Sequence, residues 1–171
     1  MATHTGPKAV FETALTDTST KDREGVGTLR WDGESCYRWV KNSTGSATVA
    51  GECVVHDMSA RADTTLFHEI DDGQTTDLGM MAGITLSVCA SLSYCWIQVC
   101  GVCTSCIASN DTTVTVAIGD YMVAVTGAVY LDIDANAQTQ PSYHRNVQSL
   151  ESIATASSAT TYIVGVVNCL G

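Results

Sequence analysis

The sequence predicts an all-β protein: a small sandwich or barrel-like domain over residues 26–171, preceded by an extended N-terminal arm over residues 1–25. Three observations carry that expectation. The apolar share of 45% comes largely from Ala and Val, and the polar share from Thr and Ser, with charged residues at only 15%. β-Branched side chains lose χ1 freedom in helices and pack well on pleated surfaces, so this composition favours sheet. Runs of strand formers recur between Gly, Asp and Asn clusters at intervals of about 8–12 positions, the spacing of sandwiches and barrels. Finally, the first 25 residues hold few large apolar side chains, Val10, Phe11 and Leu15, amid Thr, Ser and charge. Such a segment forms no core of its own; it is either a plain mobile terminus or an arm that lies along a partner.

The strand patterns begin at Gly27. Residues 27–31 lead into the turn signal Asp32-Gly33, and residues 35–41 form the return strand. In that strand Cys36, Arg38 and Val40 face one way and Tyr37, Trp39 and Lys41 the other. After the turn at residues 42–45, Ala47 to His56 supplies a strand broken or bulged at Gly51. Asp71 to Thr76 marks a turn, and Leu78 to Gly83 reads as a short helix or a loop. Ser93 to Cys100 is strand by composition; Gly101 breaks or turns it, and Val102 to Ala108 runs back. Strands follow at Thr113–Ile118, Met122–Val125 and Val129–Ile133, then a loop-like stretch to residue 150 and a final strand from Thr161 to Leu170.

Charge narrows the partners. Eighteen Asp and Glu against eight Lys and Arg give a formal charge of −10. The cations are scattered and form no basic run, so neither nucleic acid nor an anionic membrane surface is an expected partner. Met1 to Val10 lacks a basic n-region and an apolar h-region, and no uncharged apolar stretch is long enough to span a bilayer. Cytoplasmic synthesis without export is therefore expected.

Eight cysteines, Cys36, Cys53, Cys89, Cys95, Cys100, Cys103, Cys106 and Cys169, fit that compartment awkwardly, because cytoplasmic thiols stay reduced. An even count suits disulfides, and a protein made inside a cell but working outside after lysis reconciles the two. Cys100, Cys103 and Cys106 share a spacing that suits zinc or an iron–sulfur site, with a fourth ligand from Cys89, Cys95 or Cys169. Against metal, the flanks read as strand, and strand alternation sends Cys103 and Cys106 to opposite faces. Core thiols or disulfide partners are the favoured reading, with no metal and no cofactor expected. The four histidines, His4, His56, His68 and His144, are isolated, and His68-Glu69 lacks a second histidine for a zinc-protease helix. Trp31, Trp39 and Trp96 all sit in strand patterns and are expected mostly in the core. No catalytic residue is assigned: the sequence reads as a structural protein and not as an enzyme.

Two stretches carry a family resemblance. EGVGTLRWDGESCYRWVKNS at residues 24–43, and YCWIQVCG at 94–101 followed by VTVAIGD at 114–120, resemble blocks of the capsid decoration, or cement, proteins of tailed bacteriophages. The resemblance implies a homotrimeric β-rich knob on the outer capsid surface of a virion, bound to the major capsid protein and stabilising the shell. It implies an arm lying across capsid subunits, with Val10, Phe11 and Leu15 as contacts. Cys100 stands where that pattern has an aromatic residue, so disulfides formed after lysis are expected to supply part of the stabilisation. Two other readings stay open: a tail or extracellular filament subunit polymerising by strand or arm exchange, and a cysteine-ligated metal-binding module.

Overall fold

The computed structural model describes residues 10–43, 45–57, 68–71, 81–108, 115–124, 131–133, 147–153 and 161–169. The fold is all-β. Among the described residues the strands are β1 (Thr18–Ser19), β2 (Leu29–Asp32), β3 (Ser35–Asn42), β4 (Cys53–His56), β5 (Glu69–Asp71), β6 (Met81–Thr85), β7 (Tyr94–Ala108), β8 (Tyr121–Ala124), β9 (Leu131–Ile133), β10 (Val147–Ser149) and β11 (Thr161–Asn168).

The hydrogen-bonded path runs β11-β10-β8-β9-β7-β6-β4-β5-β3-β2, and two further pairings, β11–β7 and β7–β3, close it twice on the same strand. One ring consists of β7, β6, β4, β5 and β3; the other consists of β7, β9, β8, β10 and β11. The barrel-like expectation is met by two small rings sharing one wall. Pairing is antiparallel except for β3–β5 and β7–β9, which are short parallel contacts. β2 lies outside the first ring as the end of the path, and β1 pairs with the start of β7.

Each ring holds a core. In the first, Cys36 and Val40 of β3, Val54, Ile70, Ala82 and Ile97 and Val99 of β7 pack with Cys89 and Cys95. In the second, Cys103, Cys106 and Ala108 of β7 pack with Met122, Leu131, Val147, Ile163 and Val167, joined by Cys53, Met81 and Ile84. Half-buried Cys169 touches both. Buried cysteine behaves as a small hydrophobe, which suits an interior too narrow for many aromatic rings.

A strand serving two interiors cannot keep a simple alternation. β7 solves this with irregularities in its ladders. Cys36 opposes Cys100, but the next pair is Tyr37 with Gln98, so β7 carries one extra residue there. Further on, Cys103 opposes Gly165 and Cys106 opposes Ile163, three steps on β7 against two on β11. Between these bulges Gly101 has φ +98°, and a Cβ there would come within 2.8 Å of the Ser35 Cα and 2.9 Å of the Glu34 carbonyl oxygen. Only glycine fits a left-handed conformation under that close approach.

Several sequence expectations change. Gly101 bends β7 and does not reverse it: residues 102–108 find their partner in β11. The strand expected from Ala47 is confined to Cys53–His56, because residues 48–52 form a loop tied to Thr85 and to the β7 bulge, with Ile107 N–H donating to the Gly51 carbonyl at 2.9 Å. The first hairpin turns at Gly33-Glu34, with Asp32 opposite Ser35, one position later than the Asp-Gly signal suggested. Residues 81–83 belong to β6, and 72–80 lie outside the described residues. The predicted facing in β3 holds: Cys36 and Val40 enter the first core, while Trp39 packs on the other side against Trp96, ring centroids 5.3 Å apart.

Gly101→Ala is expected to cost at least about 3 kcal/mol, the left-handed penalty of roughly 1–2 kcal/mol plus displacement of the β2–β3 turn. Gly33, also at positive φ but with open space around it, is expected to lose only about 1 kcal/mol as alanine. Urea unfolding midpoints of the two variants test the difference.

Candidate functional site

Three features stand apart from simple core packing: a polar seam under the N-terminal segment, the paired cysteines, and apolar side chains left on the surface.

Trp39 and Trp96 are fully buried, on the face of β3 and β7 that looks away from the first core. What covers them is the chain's own N-terminal segment. Phe11 meets Trp96 edge-on with centroids 5.6 Å apart, and the Arg30 guanidinium lies 5.0 Å above the Phe11 ring. A buried indole needs an acceptor for its N–H. Trp96 donates to Thr13 Oγ1 at 2.9 Å, and Trp39 donates to Asp22 Oδ1 at 3.0 Å. Thr13 in turn is held by Glu24, whose Oε1 accepts from the backbone N–H groups of Glu12 and Thr13 and from the Thr13 hydroxyl at 2.7–2.8 Å. Both Thr13 and Glu24 are buried.

Within the extended arm expected over residues 1–25, the described part lies against the chain's own strands. Residues 10–24 are docked on their own domain, because the tryptophan pair needs both an apolar cover and hydrogen-bond acceptors. Of the three expected partner contacts, Phe11 is engaged with Trp96, Leu15 is half-buried, and Val10 alone is well exposed, at 75%. Residues 1–9 lie outside the described residues.

All eight cysteines are present as thiols. They fall into neighbouring sets. Cys36 and Cys100 oppose each other across β3 and β7. The Cys89 and Cys95 side chains hydrogen-bond to one another, as do those of Cys103 and Cys106. In each of these two pairs the shared hydrogen bond holds one thiol below the ordinary range, Cys89 and Cys103, and its partner above it. Burial raises Cys36 and Cys53, with Cys100 and Cys169 as the next contributors, and pushes Cys169 up to about 12. Strand alternation predicted opposite faces for Cys103 and Cys106. The bulge between them adds the residue that returns both to the second core. Cys100 faces Cys36 instead, and among the described residues no group of three or more His, Cys, Asp or Glu side chains converges as a metal site. The Cys100, Cys103 and Cys106 set is therefore not assembled as the metal-module reading requires.

The surface carries the apolar groups that sequence reasoning missed. Trp31, expected with the core tryptophans, is 59% exposed, and Leu29 stands two residues away on the same face of β2. β2 lies outside the ring and pairs with β3 alone among the described residues, and Leu29 and Trp31 stand exposed on one of its faces. A second strip runs over the outside of the other ring: Val102 lies opposite Val166, with Tyr162 four residues before Val166 on β11, across the bulge. Alternation alone could not distinguish these positions, because a strand lying outside a closed ring shows the same pattern as one within it.

Comparison with protein-family models yields no match, and no curated protein matches the chain.

His56 lies buried in β4 near Arg38 and His68; burial, then the charges of those two groups, lowers it from 6.5 to about 4. The folded protein thus binds this proton less readily than the unfolded chain. The associated stability is complete above about pH 6.5 and falls as pH drops toward 4, by about 2 kcal/mol in all. A His56→Gln variant is expected to show a flatter unfolding midpoint against pH across that window. Glu24→Gln is expected to cost about 1–3 kcal/mol by weakening a buried acceptor for three donors. Limited proteolysis should then cut within residues 10–24 faster than in the wild type.

Proposed function

We propose that this chain is a structural subunit, a capsid decoration or cement protein that sits on the outside of a major capsid protein shell and stabilises it as a homotrimer. One observation supports this reading most: the exposed Leu29 and Trp31 on the edge strand β2. A large aromatic side chain presented on an open sheet edge is the kind of residue that anchors protein interfaces. It lies inside the segment of residues 24–43 that carries the resemblance to decoration proteins. The low charged fraction of 15% suits surfaces covered by neighbouring subunits. Each trimer would engage several shell subunits, so modest contacts would combine through effective concentration. In this role the chain needs no catalytic group and no cofactor, and its partners are the shell and further copies of itself.

A second reading, a tail or filament subunit, draws on the same edge. An unpaired strand edge accepts a strand from another copy. Closed trimers and open polymers separate the two.

Native mass spectrometry and sedimentation of the purified chain are expected to give a trimer. Trp31→Ala combined with Leu29→Ser should lower trimer content or binding to particles built from the cognate major capsid protein by at least tenfold, without lowering the unfolding midpoint. An open-ended polymer would favour the filament reading. A monomer that ignores the particles would overturn both.

A further inference from the structure

The bulge in β7 does more than redirect the strand. It turns Cys103 and Cys106 to the same side, and Cys103, 4% exposed, is among the residues that line a cavity of about 420 Å³. That volume lies within the range of small-molecule sites, roughly 300–1,000 Å³. Tyr37, Gln98, Thr104, Ser105 and Tyr162 contribute polar groups to its lining. Tyr162, at 57% exposure, borders it on the solvent side, and Gln98, at 3%, lies on the protein side. The 48–52 loop closes another wall at Gly51, where any Cβ would collide with the Ser105 carbonyl oxygen. Cys106 stays behind Cys103, fully buried in the second core.

The geometry of the pair suits a covalent link. Three steps on β7 span two on β11, so the Cys103 and Cys106 Cα atoms stand about two strand rises apart, roughly 6.6–6.8 Å. Disulfides accept Cα separations up to about 6.8 Å, so the bond can form with a small movement of the bulge. Without the bulge the same residues would lie three rises apart on opposite faces, beyond reach.

We propose that Cys103 is a thiol–disulfide exchange site for a small, polar, low-molecular-weight disulfide such as oxidised glutathione, with Cys106 as the resolving thiol. Cys103 gives up its proton and its sulfur attacks one sulfur of the incoming disulfide. That S–S bond breaks, and the first glutathione leaves as a thiolate that takes up the proton. Cys106 then loses its proton and attacks the Cys103 sulfur of the mixed disulfide, expelling the second glutathione. Two protein thiols are oxidised to one disulfide, and one molecule of oxidised glutathione is reduced to two thiols. The Cys106 thiol and the Ser105 backbone N–H both donate to the Cys103 sulfur and favour its anionic, attacking form. Cys89 and Cys95 make a similar hydrogen-bonded pair but are both fully buried and line no cavity with Cys103. They provide an internal control for access. The inference does not depend on the assembly reading, since it concerns one chain and one cavity.

The test uses the full reduced chain, exposed briefly to oxidised glutathione, quenched by alkylation and mapped by mass spectrometry. The first mixed disulfide is expected on Cys103. At longer times the wild type should lose two hydrogen masses, with residues 103 and 106 linked and Cys89 and Cys95 still alkylated after denaturation. Cys106→Ser should hold one glutathionyl group on Cys103, and Cys103→Ser should react at least tenfold more slowly overall. Half-exposed Cys100 reacting first in the wild type, which needs no variant to fold, would overturn the proposal. So would a glutathionyl group that stays on Cys103 when Cys106 is present.

Discussion

One strand sets the terms for the rest of this fold. β7 must supply a wall to two closed rings at once, and the two interiors lie on different sides of its path. A strand of fifteen residues with unbroken alternation would bury one face along its whole length. Here Ile97 and Val99 enter the first core, and Cys103 and Cys106 enter the second. The reset between them requires the bulges opposite β3 and β11, with Gly101 in a left-handed conformation beneath the β2–β3 turn.

The same strand creates a second demand. Because Trp96 of β7 and Trp39 of β3 face away from the first core, closing the rings does not bury them. A cover that was purely apolar would strand two indole N–H groups, and a purely polar one would leave the rings in water. The N-terminal segment answers both needs, with Phe11 for the ring edge and Thr13 and Asp22 as acceptors. Burying Thr13 then calls for Glu24, which gathers two backbone donors and a hydroxyl onto one oxygen. The segment is thus part of the domain for reasons that reside in β3 and β7, not in its own composition.

That chain of dependence explains what the sequence made legible. The all-β class, the facing of β3, and strands near residues 94–100, 121–124 and 161–168 follow from local alternation and turn residues. Residues 10–24 looked unable to fold because their partners, Trp39 and Trp96, are distant in sequence, and nothing local marks Glu24 as a buried acceptor. The reversal expected at Gly101 reflects the ambiguity of a lone glycine in a strand, which serves a bend or a turn equally well. Trp31 differs from Trp39 only in lying on a strand outside the ring, a fact of topology. Among the cysteines, adjacency across β3 and β7 and across the bulge is likewise a matter of register.

The cysteines then show how burial sorts chemically identical groups. Small and apolar enough to fill narrow rings, they are placed for packing, and six of the eight are buried in the two cores. Packing nonetheless brings some of them into contact in pairs, and contact splits each pair into a sulfur that accepts a hydrogen bond and one that donates it. What separates a silent pair from a responsive one is neither spacing nor acidity alone, since Cys89 and Cys103 are held low by the same kind of contact. It is whether the backbone beside the pair departs from a regular ladder. Around Cys103 the bulge leaves ladder groups to be satisfied by the 48–52 loop, and the cavity forms where that loop and β7 fail to close completely. A distortion required by the shared wall therefore also places Cys103, and neither Cys89 nor Cys95, among the residues that line this cavity.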